Sequence, residues 1–465
     1  IQQIRQIRDD ALDNQYRREN RYLQEWSVKK DVLTYIEDIF NEPSDTGLSA
    51  NMAEFFSSLQ ELEKAPESIE IRTLVVQNAI KLTESINHIS NQLTELQINQ
   101  EDAIETTVKR INDIALNIRD LNLQIYRFER GGQNNPQAAN DLRDRRNLLL
   151  DELSGLVNLS YYESDSCSFR IDINGYPLVD HDQFNPLETV KSIPNPAGTE
   201  ELSEIRWKDS GIKVDVTAGM LKGLLDARDG IDPDNIGIPY IINQLDTFAR
   251  ALAAEFNRIH SQGYTIPING NPSVSGVDFF SAAGYVEPDW PALFPDWDTM
   301  TAQEQSDAMF SYKISCINSK NITIDSAIEQ SVLNIAASSE EILPGADNRG
   351  NNENVLKMLE LRSLRDITLD IGGNTIPIGN LEDFIVKTIS ALAVESSHSQ
   401  KMFDNQTILT DSVQNRRMSV SGVSIDEEMA DLMRFQHAYS AAARMLTSFD
   451  EMLETLILRT GLVGR

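Results

Sequence analysis

From Val75 to Phe128 apolar residues recur at alternating steps of four and three, through Leu82, Ile86, Ile89, Leu93, Ile111, Ile118, Leu121 and Ile125. This is the seam of a heptad repeat, and it predicts one long helix. Two successive steps of four around Thr107 form a stutter, which relaxes the supercoil locally. Pro66 and Ser68 suit the helix start, Glu67 and Glu70 favour the positive end of its dipole, and Gly131-Gly132 supplies the stop. Such a helix is on the order of 80 Å long, more than an ordinary globular domain encloses, so it reads as a rod. The eight seam residues named above are the expected core of that rod domain, packed against a helix over 385–417.

Other segments follow different periods. Leu23, Trp26, Leu33, Ile36 and Phe40 predict an earlier helix closed by Asn41-Glu42-Pro43, and Asp141–Leu153 predicts a short one. Ser168 to Pro177 alternates polar and apolar residues around Asn174-Gly175, which predicts a hairpin. Residues 160–212 and most of 265–380 read as strand and turn, interrupted by helix at about 240–262. Near the end, Ile385, Ile389, Leu392, Ser396, Ser399, Phe403, Gln406, Thr410 and Val413 form a seam with a polar middle. Buried polar groups on such seams set register, so Gln100, Ser396, Ser399 and Gln406 read either as register devices or as solvated positions.

After a break at Met418–Gly422 a last stripe runs through Ile425, Met429, Leu432, Phe435, Tyr439, Ala442, Leu446, Phe449, Leu453 and Leu456, with Asp426, Glu427 and Glu428 at its head. No obvious partner for it remains elsewhere in the chain. Leu432, Phe435, Tyr439, Leu446, Phe449, Leu453 and Leu456 are therefore read as an interface to other subunits or to a chaperone, ahead of packing in the chain's own core.

Composition narrows the function. The 465 residues carry a net charge of −31, which disfavours binding to nucleic acid or to an anionic membrane surface. No apolar run reaches the roughly 18–20 residues of a membrane span. Cys167 and Cys316 lie far apart, outside any metal-ligand spacing, and the first residues lack the apolar core of a signal peptide. The chain does not begin with Met, so its natural amino terminus is expected further upstream. Residues 259–312 contain seven Asp/Glu and no Lys or Arg, together with Phe279, Phe280, Tyr285, Trp290, Phe294 and Trp297. Within it, 278–298 reads as a small acidic surface subdomain whose aromatics are its core, with a partner-binding patch as the competing reading.

Candidate catalysts are sparse. The five histidines are scattered, and no HExxH, GxSxG, P-loop or GxGxxG occurs. Asp229-Gly-Ile-Asp232-Pro-Asp234-Asn235 is similar to a calcium loop in composition but lacks the glycine and closing Glu at the required spacing, and is expected to be an ordinary loop. No catalytic, cofactor or metal residue is assigned.

Several motifs carry a resemblance. Ser421-Gly-Val-Ser-Ile-Asp-Glu-Glu-Met429, Gln436-His-Ala-Tyr439-Ser-Ala-Ala-Ala-Arg444 and Met452-Leu-Glu-Thr-Leu456 resemble the carboxy-terminal signature of bacterial flagellar axial proteins. Asn140-Asp-Leu-Arg-Asp144-Arg145 with Leu149 and Leu153, the stretch Gly223-Leu-Leu-Asp226-Ala-Arg228-Asp229 leading to Tyr240, the block from Leu245 through Phe256-Asn257 and His260 to Gly263, and the ending Arg459 to Arg465 resemble the flagellar hook-associated protein 1 family. The family's Asn-Asn-Ile-Ala-Asn-type motif does not precede Ile1, so the amino-terminal partner of the last helix is expected to be missing.

The resemblance implies an extracellular structural protein of the bacterial flagellum without catalysis or cofactor, secreted by the flagellar type III export apparatus. It would polymerise at the hook–filament junction. Implied partners are other copies of itself, the hook protein, the second junction protein and flagellin, and an export chaperone on the carboxy-terminal helices. The expected fold class is α+β multidomain: a long coiled-coil-like helical rod domain built from both chain ends, with inserted β-rich domains. The expected division is rod at 1–158, β-rich segment at 159–238, a helix returning to the rod at 239–264, β-rich insertion at 265–383, rod helix at 384–422, and a terminal assembly helix projecting from the rod at 423–465. A secreted coiled-coil adhesin, an exported hydrolase using acidic pairs, and another flagellar axial protein (hook or cap) are the alternatives.

Overall fold

The computed structural model describes residues 8–41, 44, 47–129, 136–164, 168–195, 201–267, 272–343, 347–371, 374–422 and 425–459. Gly131-Gly132, Cys167 and the ending 460–465 lie outside them. Two compact units are distinguished, residues 17–408 and residues 1–16 with 409–465.

The chain opens with α1 (Asp10–Phe40), α2 (Leu48–Lys64), α3 (Ile69–Glu129) and α4 (Pro136–Leu156). Asn41 ends α1 in the left-handed conformation at φ 49°, its N–H returning to the Glu37 carbonyl at 3.1 Å. Ser68 caps α3, its Oγ accepting from the Ile71 N–H at 3.3 Å and donating to Glu70 at 2.8 Å. The Ser68 hydroxyl and the backbone N–H hold the exposed Glu70 carboxyl below its ordinary pKa. With 61 residues α3 is about 90 Å long.

A four-stranded antiparallel sheet follows in the order β1 (Ser160–Glu163), β2 (Phe169–Ile173), β3 (Tyr176–Asp180), β4 (Gln183–Phe184). Asn174 and Gly175, at φ 48° and 86°, make the β2–β3 turn, a conformation that suits the right-handed twist of the strands. The antiparallel pair β5 (Leu187–Ile193) and β6 (Leu202–Trp207) leads to α5 (Met220–Asp229), the small hairpin β7 (Ile231–Asp232) and β8 (Asn235–Ile236), and α6 (Ile238–His260). Asp229–Asn235, the calcium-like stretch, thus forms the end of a helix and a tight hairpin.

Residues 265–383 hold less strand than their composition suggested. β9 (Phe280–Ala282) pairs with β10 (Ile322–Ile324), and β11 (Ile367–Ile371) with β12 (Asn374–Gly379). Between them lie helices α7 (Trp290–Leu293), α8 (Ala302–Cys316), α9 (Ser326–Gln330) and α10 (Glu353–Glu360). Helix α8 starts at a capping box of Thr301 and Glu304, and it buries only Ile314, so its pattern lacks the apolar stripe that would have announced it. The chain ends in α11 (Leu381–Ser421) and α12 (Ile425–Arg459). Helix α11 runs through Met418, and the expected break falls later than that residue.

The seam of α3 is buried at Leu82, Ile86, Ile89, Leu93, Ile111, Ile118 and Ile125, each at most 4% exposed, whereas Leu121 is half-buried and its neighbour Asn122 is buried. Ile118 and Ile125 stay on the seam, and Asn122 is drawn in between them by its bonds to the His181 carbonyl at 3.4 Å and from Arg146 at 3.2 Å. Likewise Gln97 is fully buried, donating to the Arg228 carbonyl at 3.1 Å, while Gln100 stays half-buried. The neighbours of α3 differ from the expectation: it packs on α2, α4, α5, α6 and the strands, and the 385–408 part of α11 packs on α1. The seam needed apolar cover along its whole length, and the polar middle of α11 cannot supply it.

Helix α5 joins α1 to α3. A Cβ on Gly223 would meet the Glu25 carbonyl oxygen at 2.8 Å, so only glycine permits this helix crossing. Asp226 pairs with Lys29 of α1 at 2.8 Å. Arg228, fully buried, donates to Glu101 of α3 at 2.5 Å, to Asp229 at 2.6 Å and to the Ser203 carbonyl at 2.9 Å. Burial alone would lower the Arg228 pKa, but the Asp229 and Glu101 carboxylates more than offset it and hold it above the ordinary value.

A second junction lies where α2 and α6 meet the β9 region. Phe55, Phe56, Phe256, Phe279 and Phe280 cluster with ring centroids as close as 4.8 Å. Buried Asn257 holds this cluster in register: its Oδ1 accepts from the N–H groups of Phe279 and Phe280 at 2.9 and 2.8 Å, and its Nδ2 donates to the Phe280 carbonyl at 2.7 Å. His260, one turn on, accepts the Ala336 N–H on Nε2 at 2.9 Å, which leaves Nδ1–H to donate to the Val277 carbonyl at 2.7 Å. Buried Arg72 donates to the carbonyls of Pro66, Val332 and Ile335 at 2.7, 3.3 and 2.8 Å. It meets no carboxylate among the described residues, and burial lowers its pKa to about 10.

Candidate assembly surface

Among the described residues, helix α12 carries the most conspicuous display of exposed apolar side chains. Ile425, Met429, Leu432, Phe435, Tyr439, Leu446, Phe449, Leu453 and Leu456 are between 54% and 79% exposed. Met445, Met452 and Ile457 are exposed beside them, positions that a seam-only reading passes over, and Met433 and Leu458 are exposed on the opposite side of the helix. At 3.6 residues per turn, the apolar positions from Phe435 to Ile457 occupy an arc of about 140°. His437, Ser440, Arg444, Thr447, Ser448 and Glu451 occupy the remainder. An arc this wide is that of a helix made to be covered on one side, broader than a bare two-helix seam. Asp426, Glu427 and Glu428 in its first turn favour the helix itself through the dipole.

The elements that lead to this helix are tied by polar contacts. Along α1 and α11, Ser396 donates to Glu37 at 2.8 Å, and Gln406 donates to the Glu19 carboxylate at 2.7 Å and its carbonyl at 3.0 Å. Trp26 meets His398 at 5.6 Å between ring centroids, and Lys30 lies over the Phe403 ring at 4.5 Å. Ser396, Ser399 and Gln406 are all buried, so they lie inside the packed helix pair. In the unit formed by residues 1–16 and 409–465, buried Asp13 accepts from Arg8 at 2.9 Å and from Arg417 at 2.6 Å, and Arg417 also lies 5.0 Å over the Tyr16 ring. No periodicity could have shown this cluster, because it depends on two arginines distant in sequence meeting one carboxylate.

Asp13→Asn should loosen that unit by about 2 kcal/mol, because both guanidinium groups lose their charged acceptor. Amide exchange over 409–421 should then accelerate about 30-fold. Unchanged exchange there would show that the cluster does not hold the two segments together.

The acidic aromatic stretch divides. Phe279 and Phe280 belong to the main core, whereas Trp290, Phe294 and Trp297 stay partly exposed. The family-like stretches at 140–145 and 223–263 are structural joints. Arg143 pairs with Glu129 and Glu163 at 3.0 and 2.9 Å, Arg146 meets Asn122 and Glu163 at 3.2 and 2.7 Å, and Leu245, Phe248, Leu252 and Phe256 are buried on α6.

Comparison with known proteins bears on both regions. A family model described as "Flagellar hook-associated protein FlgK helical domain" matches residues 33–280, and one described as "Flagellar basal body rod FlgEFG protein C-terminal" matches residues 414–459. The chain is 30% identical to flagellar hook-associated protein 1 of Bacillus subtilis over 99% of this chain and 86% of that protein. It is 23% identical to the protein of the same name from Salmonella typhimurium over 97% of this chain and 87% of that one. Among solved structures, the flagellar hook junction protein FlgK from Burkholderia pseudomallei shares the fold, with a TM-score of 0.62, 14% identity, and coverage of 88% of this chain and 100% of that one.

Proposed function

Because the chain belongs to the flagellar hook-associated protein 1 family, we propose that it is a structural subunit of the bacterial flagellum, polymerising at the hook–filament junction to connect hook to filament. The observation that carries this reading is the exposed apolar arc of α12, which lies within the stretch matched to basal body rod carboxy-terminal segments. Isolated helices gain little in water without tertiary packing, so this one gains its cover from neighbouring molecules. Repetition of one such heterologous contact, without closure, generates a helical tube.

In this reading Leu432, Phe435, Tyr439, Leu446, Phe449, Leu453 and Leu456 form the contact to other subunits, and an export chaperone covers the same helix beforehand. Neighbours along the tube are further copies, the hook protein on one side, and the second junction protein with flagellin on the other. The subunit reaches the cell exterior through the flagellar export apparatus. Its work is mechanical and involves no reaction. A net charge of −31 keeps unassembled copies apart.

Deletion of the gene in a motile bacterium tests the role. The expected cells keep their hooks but shed filament subunits into the medium. Normal motility would reject the junction role, and loss of the hooks themselves would place the protein earlier in assembly.

A further inference from the structure

The partly exposed rings of the acidic stretch belong neither to the main core nor to the α12 surface. Trp290 at the start of α7, Phe294 just past its end and Trp297 in the turn that follows have nearly parallel rings, with interplanar angles of 15°, 17° and 25° and centroids 5.7 to 6.3 Å apart. Tyr312 of α8 stands edge-on to Trp290 at 5.6 Å. All four side chains are partly exposed. The Trp290 indole N–H donates to Glu287 at 3.3 Å, which fixes one ring. Asp289, Asp296 and Asp298, each adjacent in sequence to a tryptophan, are exposed. Among the described residues none of these three pairs with a cation, and the first Lys or Arg after Arg258, Lys313, is committed to Asp278 at 2.9 Å.

An ordinary surface mini-core tolerates lysines and arginines around it, and their stems commonly cover exposed rings. Here the chain supplies none over 259–312. The negative faces of the rings and the unbalanced carboxylates therefore act in the same direction, towards a cation. We propose that the Trp290–Phe294–Trp297 cluster is a docking site for a basic protein segment, with one Arg or Lys side chain against the rings and a second at Asp289, Asp296 or Asp298. Charge complementarity selects this occupant over another copy of the chain, whose own net charge is −31. The inference does not depend on the α12 contact or on the junction role.

Calorimetric titration of the full chain with a ten-residue Arg-Gly repeat peptide tests it. Saturable binding is expected, weakened about tenfold or more by Trp297→Leu. The triple change Asp289→Asn, Asp296→Asn, Asp298→Asn should weaken it similarly, and these exposed positions leave folding intact should Trp297→Leu not. A charge-matched triple on α3, Glu95→Gln with Asp102→Asn and Asp113→Asn, should change the affinity less than twofold. Equal losses in the two triples would reduce the effect to general attraction and overturn the proposal. So would absence of saturable binding, or binding of a neutral chito-oligosaccharide in preference to the peptide.

Discussion

Leu446→Glu combined with Phe449→Glu leaves the unfolding of the isolated chain unchanged within about 0.5 kcal/mol and stops it from joining a polymer. The two side chains are 72% and 57% exposed, so the monomer has little packing to lose. In the proposed assembly each is buried, a gain of about 1.5–3 kcal/mol apiece. A carboxylate in either place adds a desolvation cost on top. Together the changes weaken a subunit contact by two orders of magnitude or more. Urea unfolding of the monomer and complementation of a deletion strain read the two halves of this expectation. A variant that restores motility would remove α12 from the assembly surface, and one that unfolds early would show the arc to be part of the monomer's own packing.

The second large effect is a dependence on pH set by His260. Full burial depresses its pKa to about 4, helped by the nearby Arg72 charge and only partly opposed by the Val277 carbonyl. In the unfolded chain the imidazole titrates near 6.5. Between these values the unfolded state binds the extra proton, so stability rises with pH. The contribution is complete above about 6.5 and is lost as pH falls towards 4. It amounts to about 3 kcal/mol, or about 1.4 kcal/mol per pH unit within the window. Protonation also turns Nε2 from the acceptor of the Ala336 N–H into a donor facing it. Urea unfolding of the parent chain and of His260→Gln, compared from pH 7 to pH 4.5, isolates this group. The difference in stability between them should hold above about pH 6.5 and shrink steadily below it; a difference that stays constant down to about pH 4.5 would show that folding leaves the His260 pKa at its ordinary value.

How much of this was legible in the sequence depends on what each feature rests on. The α3 seam, the Asn174-Gly175 turn and the α12 stripe are local periodicities, and the structure carries all three as regular elements. The pairing of α3 was misread because spacing reports that a face is apolar and says nothing of which element covers it. Leu121 and Gln100 give way to Asn122 and Gln97 because those amides find partners distant in sequence, the His181 carbonyl and Arg146 for Asn122 and the Arg228 carbonyl for Gln97, which spacing cannot show. Helix α8 has too little apolar surface to leave a stripe. Asp13 with Arg8 and Arg417, and Arg72 with the carbonyls of Val332 and Ile335, join residues far apart in sequence, so no window of sequence contains them. The 278–298 stretch shows both limits at once: its composition marks it as unusual, but only the fold separates two core phenylalanines from three partly exposed rings.

The bond from Arg72 to the Val332 carbonyl spans 260 residues of chain. A guanidinium with no carboxylate beside it is costly to bury until those distant acceptors arrive. The start of α3 therefore stays hydrated while only the first two thirds of the polypeptide are available, and it closes when the segment around Ile335 docks. Burial of the first turn of α3 thus depends on a segment two thirds of the way along the chain, and a chain cut before Val332 would leave the Arg72 guanidinium two acceptors short.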